Sequence, residues 1–226
     1  MTMAMTYHRI TSIEDPVFAG LHGLMKRVFP PEEVLAFDLW AEPLQDPGIQ
    51  VYAAVLDGEV VGATEYRYYP DMQVAMTDFT IIGKPGLGIG RFLLRGRERD
   101  LQRLARESGT EPLGMFAEIY RPDDVDYGFG GISPMHPSVR REVLSHIGYK
   151  RLDFPYVHPS WDLEGKAVGG LDLCFLPADE EREELSAALV YRFLETYYAA
   201  IPNKPQEWHA MMDGLRAQET LALKPL

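Results

Sequence analysis

The chain of 226 residues contains a single cysteine, Cys174. One thiol closes no internal disulfide, and with six scattered histidines it forms no metal-ligand cluster. Cys174 lies in the apolar run 171–176 and is expected as a small core residue. Positive charge is also scarce. Lys plus Arg is 22 against 34 Asp plus Glu, a formal net charge of −12. Nonspecific nucleic-acid binding runs on excess positive charge, so that partner class is excluded. An acidic surface suits cationic partners such as amines and is also an ordinary soluble surface. No run of about 18 apolar residues is present to span a membrane. The segment Met1 to Thr6 has neither a basic stretch nor an apolar core, so it does not read as a secretory signal. The expectation is a cytoplasmic protein with no membrane partner. There is no internal repeat and no low-complexity stretch.

A composition of 46% hydrophobic and 25% charged residues suits one large globular domain, or one with an extension. Periodicity predicts a strand over 7–13, a helix over 18–28 and a second helix over 32–44. Three strands follow, over 50–56, 60–69 and 74–82. Asp57-Gly58 marks a hairpin turn between the first two. Their short connections make the three antiparallel and sequential. Next come a helix over 90–108, a strand over 113–120, a helix over 139–147, and strands over 149–157 and 171–176. A long helix over 178–200 and a short one over 206–215 end the chain. The acidic start of the long helix, Asp179-Glu180-Glu181, suits the helix dipole. The fold class is α/β, with a mixed, mostly antiparallel sheet flanked by helices. Residues 1–177 form the main domain and 178–226 a C-terminal helical extension packed on it.

The most telling stretch is 80–94, in which an apolar strand enters a glycine-rich turn that opens a long helix. Gly86, Gly88 and Gly90 let the backbone approach a ligand closely. The first N–H groups of a helix lack intrahelical partners and, with the dipole, attract phosphates. A phosphate-bearing cofactor is the leading expectation.

The element order, with its Gly-x-Gly turn between the fourth strand and the third helix, resembles the GCN5-related N-acetyltransferase (GNAT) superfamily over roughly residues 7–177. The family turn, Arg/Gln-x-x-Gly-x-Gly/Ala, aligns with Pro85-Gly86-Leu87-Gly88-Ile89-Gly90, where Pro85 replaces the leading Arg/Gln. Segments 29–33, 117–123 and 156–159 are similar to a bacterial subgroup of that superfamily without a defined substrate. The resemblance implies acetyl-CoA held in a wedge between the fourth and fifth strands. Thr80, Ile81 and Ile82 would then offer backbone to its pantetheine. Gly83, Lys84, Gly86, Leu87, Gly88, Ile89, Gly90 and Arg91 would surround its pyrophosphate, helped by Arg95.

Acetyl transfer to an amine needs a base for the amine proton, donors for the oxyanion and an acid for the departing thiolate. A backbone N–H near Ile81 or Ile82 would serve the oxyanion. Glu118, mid-strand among apolar residues, is the first candidate base, because partial desolvation raises a carboxylate's pKa. Its structural alternative is a pair with an arginine such as Arg67. Asp78 is the second candidate, placed by strand alternation on one face with Val74, Met76, Thr80 and Ile82. Its alternative is a hydrogen-bonding role. Many family members place a tyrosine acid four residues before the glycine that closes the fourth helix. Here that glycine is Gly148 and the position is Leu144, which leaves Ser145, His146, Tyr156 or water. Arg91, Arg95, Arg99, Arg103 and Arg106 alternate with acidic residues and read better as a solvated, salt-bridged face than as a phosphate track. Glu32 and Glu33 favour a helix start, with a cationic-substrate contact as the functional alternative.

Two readings stay open at this level. One is an acetyl-CoA-dependent transferase for a small-molecule amine; the other is a non-catalytic acyl-CoA-binding or sensing module. A dinucleotide oxidoreductase is disfavoured because Arg91 breaks the Gly-x-Gly-x-x-Gly fingerprint. A nucleoside triphosphatase lacks the Gly-Lys-Ser/Thr its turn requires. The tail is open to covering the sheet, closing a cleft or forming a homodimer contact.

Overall fold

The computed structural model describes residues 4–29, 34–122, 137–160 and 165–226. They fall into two compact units, divided between Pro112 and Leu113.

The first unit is built on β1 (Thr6–Ile10), β2 (Ile49–Leu56), β3 (Glu59–Tyr69) and β4 (Val74–Ile82), adjacent in that order and antiparallel. Asp57 and Gly58 take consecutive positive φ values of 54° and 80°, the two-residue turn that matches the twist of a β2–β3 hairpin. Helix α1 (Pro16–Val28) starts where Asp15 accepts from the Val17 N–H at 2.8 Å and Pro16 pre-sets the first helical φ. Phe18, Leu21, Leu24 and Met25 of α1 pack on Ile10, Val51, Ala53, Ala63 and Ile81. Helix α2 (Ile89–Glu107) covers the other face, where Ile89 and Leu93 meet Ala54 and Val61. Gly62 makes that approach possible, since a Cβ there would stand 2.4 Å from Ile89 Cγ2. A buried bond from Tyr66 Oη to Asp100 Oδ2 at 2.6 Å ties α2 to β3.

The helix expected over 32–44 does not form as such. Phe37–Trp40 and Pro43–Gln45 make two short 3-10 turns, and residues 32 and 33 lie outside the described residues. Pro43 has no N–H for a continuous ladder. Trp40 and Leu44 still reach the α1 core, so apolar spacing survives without a helix.

The second unit contains β5 (Gly114–Tyr120), α3 (Pro137–Ile147), β6 (Lys150–Leu152), β7 (His158–Pro159), β8 (Ala167–Val168), β9 (Leu171–Pro177), β10 (Glu184–Ser186), α4 (Ala187–Tyr197), α5 (Gln206–Arg216) and β11 (Thr220–Pro225). Five strands pair antiparallel in the order β5-β9-β6-β11-β10, and β7 pairs with β8. Phe193 of α4 stacks on Phe116 of β5 at 4.1 Å. Cys174 is a fully buried core residue, as its apolar setting implies.

Three expectations are corrected here. The strand over 149–157 stops at Leu152, because Pro155 interrupts the ladder. The helix over 178–200 begins only at Ala187, where Ser186 accepts from the Leu189 N–H at 3.4 Å as N-cap. Its buried face is Ala187, Val190, Phe193 and Leu194, while Leu185 belongs to β10. Finally, the tail is not wholly helical, since β10 and β11 extend the sheet.

Gly114 has φ 151°, and a Cβ there would stand 2.3 Å from the Leu176 carbonyl oxygen. Neither strand backbone can yield, so Gly114→Ala is expected to cost about 4 kcal/mol, measured by urea denaturation.

Candidate functional site

The first unit holds the glycine turn. Gly83 N–H donates to Val61 O at 2.8 Å, anchoring the end of β4. Gly86 (φ 81°) and Gly88 (φ 69°) are both left-handed, and among the described residues nothing lies within 4 Å of where a Cβ would project from either. Gly88 is the N-cap of α2 and brings no side-chain cap. The first-turn N–H groups of Ile89, Gly90 and Arg91 thus lie at the positive dipole end of α2 without a side-chain cap. This is the cradle that a phosphate group requires. Leu87, Arg91 and Arg95 are exposed around it. Lys84 is already engaged by Glu59 at 2.5 Å, a surface pair of small energetic weight.

Strand β4 leads into that turn. Its register with β3 slips between Glu65 and Tyr66, so that Glu65 faces Phe79 while Tyr66 faces Thr77. Asp78 is the extra residue of a β-bulge. Strict alternation, which would group Asp78 with Thr80, is thereby broken. Thr77 and Thr80 both turn to Arg97 of α2, whereas Asp78 hydrogen-bonds Glu65. Burial pushes the Glu65 carboxyl well above the ordinary glutamate range. The Asp78 charge and hydrogen bond add to this, and Arg67 opposes it. Arg67 itself pairs with Asp46.

The shift has a definite sign. Glu65 ionises in the unfolded chain near pH ~4.3 but holds its proton to higher pH when folded. Stability from this residue therefore falls as pH rises through that window. Glu65→Gln is expected to raise the urea midpoint above wild type at about pH 7 and to match it at about pH 3.5.

Arg97 is 4% exposed, and no ion pair to it occurs among the described residues. Its Nη1 donates to the hydroxyls of Thr64 (3.3 Å), Thr77 (3.2 Å) and Thr80 (3.0 Å), while its Nε has no partner among the described residues. Burying a cation whose partners among the described residues are hydroxyls costs several kcal/mol.

The second unit holds a cluster around Glu118 of β5. Tyr156 and Tyr198 both donate to Glu118 Oε1, and their oxygens lie 2.8 Å apart. His158 Nε2 lies 3.5 Å from Oε2, and its ring meets Tyr198 edge to face. The His158 Nδ1 is buried with no hydrogen-bond partner among the described residues. Burial, followed by the neighbouring Glu118 carboxylate, pushes the Tyr156 phenol well above its usual range. Burial acts first on Tyr198 as well, with Tyr156 and Glu118 adding to it. Both phenols are therefore weak acids and strong structural donors to a carboxylate. Glu118 and Tyr156, predicted separately, are thus direct partners. Leu144 packs against Ala117, Ile119, Tyr149 and Cys174. His146 Nδ1 is hydrogen-bonded within α3 to Glu142 O at 2.8 Å.

Sequence reasoning missed Glu65, Arg97, Tyr198 and His158. Arg97 carried one usable signal: it falls off the Arg91-Arg95-Arg99-Arg103 stripe, on the face of α2 that bears Leu93 and Leu101.

No family model and no curated protein matches the chain. Solved structures do. A Bacteroides thetaiotaomicron protein assigned to the GNAT family of acetyltransferases superposes with a TM-score of 0.56 at 16% identity, covering 87% of this chain and 97% of that one. An aminoglycoside 6'-N-acetyltransferase complexed with coenzyme A gives 0.52 at 17% identity, over 76% and 95%. The Escherichia coli ribosomal-protein-S18-alanine N-acetyltransferase gives 0.50 at 13%, over 79% and 99%.

Proposed function

We propose that this chain, which has the fold of the GCN5-related N-acetyltransferases, transfers an acetyl group from acetyl-CoA to the amine of a small molecule. The observation that carries the reading is the glycine turn. It presents uncapped N–H groups of α2 behind two left-handed glycines with open space above them. A diphosphate fits such a cradle, and one protein of the same fold is described as complexed with coenzyme A. Backbone groups of Thr80, Ile81 and Ile82 are put forward for the pantetheine. Gly83 to Arg91 and Arg95 are put forward for the diphosphate.

The chemistry balances simply. The amine nitrogen forms a bond to the acetyl carbon, the C–S bond breaks, and sulfur leaves with its electron pair. One amine proton goes to a base and the thiolate gains one proton. Glu118 and Asp78 are the two carboxylates proposed for the first proton. Tyr156 is proposed to act by holding Glu118, because its raised pKa weakens it as an acid. The acidic overall charge favours approach of a cationic amine.

A second reading, an acyl-CoA sensor without turnover, is favoured by Leu144 at the position where the family's tyrosine acid stands. Calorimetric titration with acetyl-CoA, with dephospho-acetyl-CoA and NADH for comparison, tests both. Micromolar binding of acetyl-CoA is expected. No binding to the folded protein would overturn both readings. Binding without turnover on a broad amine panel would favour the sensor.

A further inference from the structure

A hydroxyl has one proton to give and two lone pairs to receive. Three threonines surround Arg97, and their protons can be traced. Thr64 Oγ1 donates to the Phe79 carbonyl at 3.0 Å. Thr77 Oγ1 donates to the backbone, with the Glu65 carbonyl at 3.2 Å and the Phe79 carbonyl at 3.5 Å. Thr80 Oγ1 receives from Arg97 Nη1 at 3.0 Å, and Thr64 Oγ1 lies 3.2 Å from it. That oxygen receives from Arg97 and has a second lone pair, so the Thr80 proton points either to another hydroxyl or outward. Thr80 is also exposed on β4, whereas Thr64 is fully buried. Turning the Thr64 or Thr77 proton outward would give up a bond to a backbone carbonyl, whereas turning that of Thr80 gives up a bond to another hydroxyl. A buried guanidinium on its oxygen polarises this O–H and strengthens it as a donor.

We propose that Thr80 is a catalytic donor, its side-chain O–H hydrogen-bonding the thioester carbonyl oxygen of the acyl donor, and that Arg97 is the positioning residue that fixes and polarises it. The inference rests on the acetyltransferase reading and gives Thr80 a side-chain role beyond its backbone one. As the amine nitrogen bonds to the carbonyl carbon, the C=O π pair moves to oxygen, where the Thr80 hydrogen bond strengthens. The pair returns as the C–S bond breaks. The Thr80 proton is shared throughout and never transferred. The bond holds the oxygen where negative charge develops, and its donor is supported by a charge already in place.

The test needs no acceptor. Infrared difference spectra of acetyl-CoA labelled with 13C at the carbonyl report the polarisation of the bound thioester. Wild type is expected to lower the C=O stretch relative to free ligand. Thr80→Val should reverse more than half of that shift while the calorimetric Kd stays within about threefold. Thr80→Ser should keep the shift. Arg97→Met should lose it with Thr80 still present. A wild-type band at the free-ligand position, a full shift in Thr80→Val, or its loss in Thr80→Ser as in the valine variant would each overturn the inference while leaving acetyl-CoA binding intact. No acetyl-CoA binding by wild type would instead overturn the acetyltransferase reading, and this inference with it.

Discussion

Gly88→Val is expected to weaken acetyl-CoA binding by about a hundredfold or more, equivalent to roughly 2.7 kcal/mol. Gly88 sits at φ 69° and ψ 19°, a region that β-branched residues all but avoid. Holding valine there costs roughly 1–3 kcal/mol. If the turn relaxes to avoid that strain, the N–H groups of the first turn of α2 lose their aim. If it does not relax, the new methyl groups project into the open space where a diphosphate would lie. Gly109 gives a matched control. It has φ 66° just beyond the other end of α2 and equally open surroundings. Gly109→Val should carry a similar stability loss in urea and leave the calorimetric affinity unchanged. Equal affinities for the two variants would remove the glycine turn from the binding site.

Glu118 separates structure from chemistry. Glu118→Ala leaves two buried phenols, Tyr156 and Tyr198, without their shared acceptor, and is expected to cost about 3 kcal/mol in urea denaturation. Glu118→Gln keeps a side-chain oxygen for them and should cost only about 1 kcal/mol. If Glu118 takes the amine proton, the glutamine variant nevertheless loses about 100-fold or more in turnover on an active amine. A glutamine variant that turns over normally would pass the role of base to Asp78, for which Asp78→Asn is the matching test.

The parts of the fold that were readable in the sequence depend on local chemistry. Asp57-Gly58 dictates its own turn, and the run 74–82 has the bounds of β4 even though its alternation does not hold through Asp78. The glycine turn was readable because its left-handed conformation is set by its own glycines. What escaped depends on distant partners. Apolar spacing at Phe37, Trp40 and Leu44 serves two 3-10 turns as well as a helix. Leu221 and Leu223 do alternate inward, but six residues after a helix offered too little pattern to outweigh a helical tail. The bulge at Asp78 has no glycine to announce it. Neither spacing nor composition links Tyr198, on the tail, to Glu118 on β5. That pairing arises only from α4 packing on the sheet through Phe193.

Strand β11 has a consequence for how the chain is made. It lies between β6 and β10, which have no ladder to each other without it. Strand β6 can pair with β9 as soon as residues 171–177 are made, but β10 must wait, during translation, for residues 220–225 to clear the ribosome. In the first unit, by contrast, β1 to β4, α1 and α2 are all complete by Glu107 among the described residues. Premature termination before β11 would leave two open strand edges, the kind of surface that quality-control chaperones and aggregation compete for. A reporter fused after Pro225 would register completion of the second unit's sheet, whereas one inserted near Pro112 would not.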